Sequence, residues 1–226
     1  MNHRFVVIAS LLCGFIWLGI NSARDVSAHE SDDGPRGSGK RISVSRDVPA
    51  FTAIDLRDAS DLELTIGTET RVTVEADDNL IGRVLTEVDG DTLIVRSEGG
   101  YSMRKSPKIT ITVPSLAALT IHGSGDADLH GLANEQLKLA IHGSGDIEAD
   151  GRADQLSVSI NGSGDAELSQ LVAKAVRASI NGSGDIAVEA RESLDAVVNG
   201  SGDVSYSGHP AKLSKRVNGS GEIAAR

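Results

Sequence analysis

The sequence predicts an all-β protein, a single-stranded, right-handed parallel β-helix of about 19 residues per coil. An irregular β-rich part precedes it. Three observations carry the expectation. The motif GSG followed by an acid occurs six times, as IHGSGD (Ile121–Asp126 and Ile141–Asp146), INGSGD (Ile160–Asp165 and Ile180–Asp185), VNGSGD (Val198–Asp203) and VNGSGE (Val217–Glu222). The units begin at Gly123, Gly143, Gly162, Gly182, Gly200 and Gly219, so successive starts are 20, 19, 20, 18 and 19 residues apart. Apolar residues fall two apart on both sides of each motif, the period of a half-buried strand.

Residues 1–28 read as a secretory signal peptide. Arg4 supplies a positive start, Phe5–Ile20 carries no charge, and Val26-Ser27-Ala28 gives small residues before a cleavage point at His29. The apolar run is shorter than the roughly 20 residues of a spanning helix. Cys13, the only cysteine, lies within it, so the mature chain would have no disulfide. The whole chain has 22 basic and 32 acidic residues. Removing Arg4, Arg24 and Asp25 leaves 20 against 31, a net −11, which disfavours nucleic acid and anionic membranes. No membrane insertion is expected after signal cleavage.

Residues 29–41 (HESDDGPRGSGKR) are polar and read as a flexible linker. Residues 42–114 form the β-rich N-terminal part. Strands are expected at Asp61–Gly67, Arg71–Ala76, Asp91–Ser97 and Lys108–Val113, with a turn at Asp89-Gly90. Asn79–Glu87 (NLIGRVLTE) is the one candidate for a short helix.

Residues 115–226 form the repeat array. Leu137, Leu139 and Ile141 alternate with polar neighbours, as do Leu156, Val158 and Ile160; Val176, Ala178 and Ile180; and Leu194, Ala196 and Val198. Alternation restarts after each acid, as at Ile147/Ala149 and Ile186/Val188. Each repeat is therefore strand, GSGD corner, strand and looser turn. A lone hairpin cannot cover its apolar face, whereas stacked coils bury a continuous aliphatic column. In the last repeat the inward series is Leu213, Lys215 and Val217, and an inward charge at an open end discourages pairing with another copy.

Both glycines of each motif are expected at positive φ: Gly123 and Gly125, Gly143 and Gly145, Gly162 and Gly164, Gly182 and Gly184, Gly200 and Gly202, Gly219 and Gly221. The residue before each is His122, His142, Asn161, Asn181, Asn199 or Asn218. Stacked at strand spacing, the four asparagines would form an amide ladder. The acids Asp126, Asp146, Asp165, Asp185, Asp203 and Glu222 would stack about 5 Å apart. Such a row must be solvated, bonded to backbone N–H groups, or bridged by cations, and calcium suits oxygen ligands. No cofactor is expected. His, Ser and Asp in adjacent letters make no catalytic triad, and GSGD is not the G-x-S-x-G elbow. Phe51, Tyr101 and Tyr206 are the only rings outside the signal, too few for sugar-stacking sites.

The chain also resembles a family. Phe51–Leu56 (FTAIDL), Val72–Ala76 (VTVEA), Glu87–Val95 (EVDGDTLIV), Ile111–Leu116 (ITVPSL) and the serial GSGD corners carry the resemblance, over about residues 48–222. It is similar to the bacterial autotransporter adhesin head GIN domain family. That resemblance implies a β-helical protein exported to the periplasm or cell surface, with no catalytic residues to carry over. The residues after the last repeat are too few for a translocator barrel, so the likeness is one of shape. The expected role is a non-enzymatic binding or structural module whose polar outward residues meet a protein or glycan partner. An enzyme acting on polysaccharide and a calcium-stabilised rod are the alternatives.

Overall fold

The computed structural model describes residues 34–226, and the signal-peptide expectation for residues 1–28 lies outside them. The expected coil is present: in the repeat region the chain winds as parallel strands that pair coil upon coil. Four long strands, β9 (Ala127–Gly143), β10 (Ile147–Gly162), β11 (Ala166–Gly182) and β12 (Ile186–Gly200), each make one turn. Each runs from one corner to the next, so the halves before and after a corner belong to two different walls. The looser turn lies inside these strands, because pairing continues around it with only a shift of register.

Those shifts explain the uneven spacing of the motif. They occur between Glu148 and Asp150, Leu168 and Val172, and Ala173 and Ala175. Extra residues are absorbed there, and the corners stay aligned: Gly143, Gly162, Gly182, Gly200 and Gly219 follow one another in register.

The N-terminal part is built from the same coil. β8 (Ala118–Gly123) leads into the first GSGD corner and stacks on β9. Before it come β1 (Arg41–Arg46), β2 (Ala53–Leu56), β3 (Asp61–Ile66), β4 (Arg71–Asp77), β5 (Val84–Asp89), β6 (Thr92–Ser97) and β7 (Lys108–Val113). β2 pairs in parallel with both β6 and β8, while β3 pairs in parallel with β7 and β9. The β2–β3 turn is thus a coil inserted between the β6–β7 coil and the β8–β9 coil. The stacked coils extend well before residue 115, down to β2 and β6. Antiparallel strands close this end: β5 covers β6, and β4 with β1 covers β7.

Two further local expectations are corrected. Asn79–Glu87 is not a helix: one 3-10 turn spans Ile81–Arg83, and β5 begins at Val84. The Asp89-Gly90 hairpin lets Val84 and its neighbours pair with β6, and that tertiary pairing outweighs local propensity. The described part of the linker is docked rather than free. Gly37 donates its N–H to Ser102 O (2.8 Å), Ser38 to Asn79 Oδ1 (2.9 Å), and Gly39 to the buried Asp77 at Oδ2 (3.0 Å).

The core is a set of aliphatic columns. In one, Val95, Leu56, Ile121, Ile141, Ile160, Ile180 and Val198 stand one above another, all 0% exposed. Each such burial contributes about 1.5–3 kcal/mol. The column ends at Val217, 39% exposed, on β14 (Lys212–Gly219), which among the described residues pairs with β12 alone. On the other wall, β13 (Val204–Ser207) is followed by β15 (Ile223–Ala225).

Candidate functional site

The six corners lie on one ridge. Their first glycines have φ between 122° and 153°, a conformation costly for any residue with a Cβ. The second glycines do not share it: Gly125, Gly145, Gly164, Gly184, Gly202 and Gly221 lie outside the left-handed region. Contact demands them instead. A Cβ on Gly164 would stand 2.0 Å from Gly145 O, and on Gly184 1.9 Å from Gly164 O. Coils approach so closely at this edge that only a hydrogen fits.

Two polar ladders flank the glycines. Asn218 donates its amide to Asn199 Oδ1 (2.8 Å), Asn199 to Asn181 (2.9 Å), and Asn181 to Asn161 (2.9 Å). Asn161 continues to His142 Nδ1 (3.3 Å), and the His142 ring stacks on His122, centroids 5.0 Å apart. His122 Nε2 lies 3.4 Å from Asp55, whose other oxygen is held by Arg57. In the second ladder, each carboxylate accepts the main-chain N–H of the next acid. Asp146 donates to Asp126 Oδ1 (2.9 Å), Asp165 to Asp146 (2.8 Å), Asp185 to Asp165 (2.8 Å), Asp203 to Asp185 (2.8 Å) and Glu222 to Asp203 (2.7 Å). The row is both bonded to backbone N–H groups and solvated, since all six acids are exposed. Among the described residues, no three His, Cys, Asp or Glu side chains converge to hold a metal ion.

A seventh corner went unrecognised in the sequence. Register places Arg57-Asp58-Ala59-Ser60-Asp61 beneath His122-Gly123-Ser124-Gly125-Asp126. Asp58 replaces the first glycine and accepts the Ser60 N–H (3.0 Å) and the Ser97 hydroxyl (2.6 Å). Burial, and then the Asp126 charge, push the Asp61 carboxyl above its usual value. The legible signal was the apolar spacing, Ile54/Leu56 before and Leu62/Leu64 after, which copies Leu119/Ile121 and Ala127/Leu129.

A groove of about 760 Å³ opens on the wall that leads into the corners. Each coil adds one rung, such as Gln136–Lys138, Gln155–Ser157, Ala175–Arg177, Ser193–Asp195 and Lys212–Ser214. Leu137, Leu156, Val176 and Leu194 line it but stay buried in the core, so what it offers outward is polar, with Lys138, Arg177, Asp195 and Lys212 among its lining residues. The expectation had placed contact on outward side chains alone; the structure adds this concavity. At the opposite bend, His130 Nδ1 lies 2.8 Å from Asp150 Oδ2. That hydrogen bond raises the His130 value and lowers that of Asp150, which also accepts the Gly131 N–H.

Residues 50–210 match the family model "Putative auto-transporter adhesin, head GIN domain". The chain belongs to this family. Solved structures agree. A "putative adhesin" of Bacteroides fragilis is 29% identical, with a TM-score of 0.69 over 84% of this chain and 99% of that one. Another from Parabacteroides distasonis shares the fold at 22% identity (TM-score 0.54, 84% and 99% covered). So does a "putative lipid binding protein" of the same species at 24% (TM-score 0.50, 84% and 98% covered). No curated protein matches the chain. Among the described residues, no helix of the head GIN domain is long and apolar enough to cross a membrane.

Proposed function

We propose that this head GIN domain protein is an exported, non-enzymatic binding module of the bacterial envelope, holding a protein or glycan partner in the groove. The carrying observation is the groove itself, whose amide, hydroxyl and charged side chains recur once per coil, about every 4.8 Å. Backbone groups beneath it are spent on coil-to-coil pairing, so side chains must supply recognition. Family membership and the adhesin-like relatives support the reading. The rigid stack also presents the site without an ordering cost.

The test is a glycan array and an envelope-protein overlay with the native protein and the groove-filling variant Ser157→Trp with Ser193→Trp. Native binding reduced at least tenfold in the variant supports the reading. Undiminished binding moves the site elsewhere. Release of reducing ends from any bound polysaccharide overturns the non-enzymatic assignment.

A further inference from the structure

The two ends of the solenoid differ. At the N-terminal end, β4 and β5 run antiparallel to the coils and cover them, and β1 pairs antiparallel with β4 outside it. At the other end, all eight residues of β14 are exposed, and among the described residues only β12 pairs with it. Its outward edge repeats the surface on which every coil is laid. In the interior, Ser201 and Ser220 donate to Gly182 O and Gly200 O of the coil before, and each asparagine donates to the one before. Gly219 O and Asn218 Oδ1 are the corresponding acceptors for one more coil.

Side chains say what could occupy it. Leu213 (46% exposed) and Val217 (39%) are the exposed large hydrophobics of the described residues, and both belong to the inward series. Lys212, Lys215 and Arg216 share the strand, and none forms an ion pair among the described residues. This basic run stands out in a chain of net charge −10. Lys215 folds across the open core, its Nζ 4.5 Å from the Tyr206 ring centre and donating to Ile223 O (3.1 Å).

A second copy fits poorly. Its N-terminal end offers antiparallel strands rather than a coil. Its C-terminal end would pair antiparallel and bring two sets of these cations together. We propose that β14 is a docking edge for an extended acidic segment of another protein, added in parallel as one further coil. This is strand addition, in which main-chain bonds give affinity and alternate side chains give selectivity. Aliphatic residues of the segment would lie on Leu213 and Val217. An acid on its outward face would lie over Ser214, between Lys212 and Arg216. Lys215 would keep its stem in the column and turn its ammonium to that acidic strand.

The experiment is calorimetric titration of the full protein with the synthetic peptide ESLDAVVNGSGD, which copies Glu192–Asp203. Placed in the register that β14 takes on β12, its leucine meets Leu213 and its first aspartate meets Ser214. Saturable binding is expected, at least tenfold weaker for the peptide ESLNAVVNGSGD and weaker at high salt. The variant Lys212→Glu with Arg216→Glu should lose binding with its melting temperature unchanged, since both side chains are exposed. No binding, equal binding of the two peptides, or equal binding of poly-glutamate overturns the proposal. So does concentration-dependent dimerisation through β14, which would name a second copy as the occupant. The groove variant Ser157→Trp alone, separated from β14 by two coils, leaves this titration unaffected, so its outcome and that of the groove test are separate.

Discussion

A single hydrogen atom decides whether two coils can meet at a corner. Gly164→Ala places a methyl group 2.0 Å from Gly145 O, against the backbone of the preceding coil with no flexible side chain to move. The expected loss is more than about 2 kcal/mol, the range of severe packing and backbone effects. Gly82, where an added Cβ meets nothing within 4 Å, is the control, and Gly82→Ala should change stability by less than about 0.5 kcal/mol. Urea melts of the two variants make the comparison; equal losses would remove the close-contact explanation. His130 and Asp150 give a second prediction at this level. The bond between them raises the histidine's folded value above its unfolded one and depresses the acid's. Its stabilisation is fully present below the unfolded histidine value near 6.5 and is lost as pH rises through the raised folded value. On the acid side it is lost as pH falls through the depressed Asp150 value. Both groups are about half exposed, so less than about 1 kcal/mol is at stake. His130→Ala should flatten the stability-versus-pH curve above pH 6.5, and NMR titration should place the native His130 midpoint above that of an unfolded peptide.

Each coil has one stiff side and one yielding side. Corners are locked by the glycine contacts and both polar ladders, while the opposite bend tolerates register shifts at Leu168/Val172 and Ala173/Ala175. Deleting Gln170 should therefore cost far less than deleting Ser183, which would pull a glycine and an acid out of two ladders at once. Circular dichroism melts of the two deletions test this, and equal destabilisation would mean that length is policed all round the coil. The same division explains what was legible in the sequence. Repeats announce themselves where geometry admits few residues, so GSGD located the ridge, the coil period and the columns. The β2–β3 coil escaped because Asp58 makes its corner by accepting the Ser60 N–H, a solution with different letters. Asn79–Glu87 misled because Val84–Asp89 takes its conformation from β6, a partner that periodicity within the segment does not encode. The groove was illegible for a related reason: its rungs are 18–20 residues apart, and its concavity arises from how coils bend.

Like charges along a rod call for compensation over its whole length. Here each of the first five carboxylates accepts the next coil's N–H, and all six are open to solvent. Adding millimolar calcium or a chelator should leave the melting temperature unchanged; a rise of several degrees with calcium would show cations bridging the ladder. Stability along the rod should still be uneven. In a stack, a coil is supported by its own contacts and those of its two neighbours. Central coils have both neighbours, and the N-terminal coils have antiparallel strands in place of the missing one. The final coil has one neighbour, an exposed Leu213 and Val217, and a lysine across its core. Opening should therefore begin there and proceed inward, since local unfolding draws on the region with fewest buried contacts. Hydrogen exchange followed by mass spectrometry should find the least protected strands at Lys212–Gly219 and Ile223–Ala225, and the most protected within β9, β10 and β11. Uniform protection from end to end would instead mean that the array opens as one cooperative unit. The bare edge would then be as firmly held as the core, and an added strand could contribute little to ordering it.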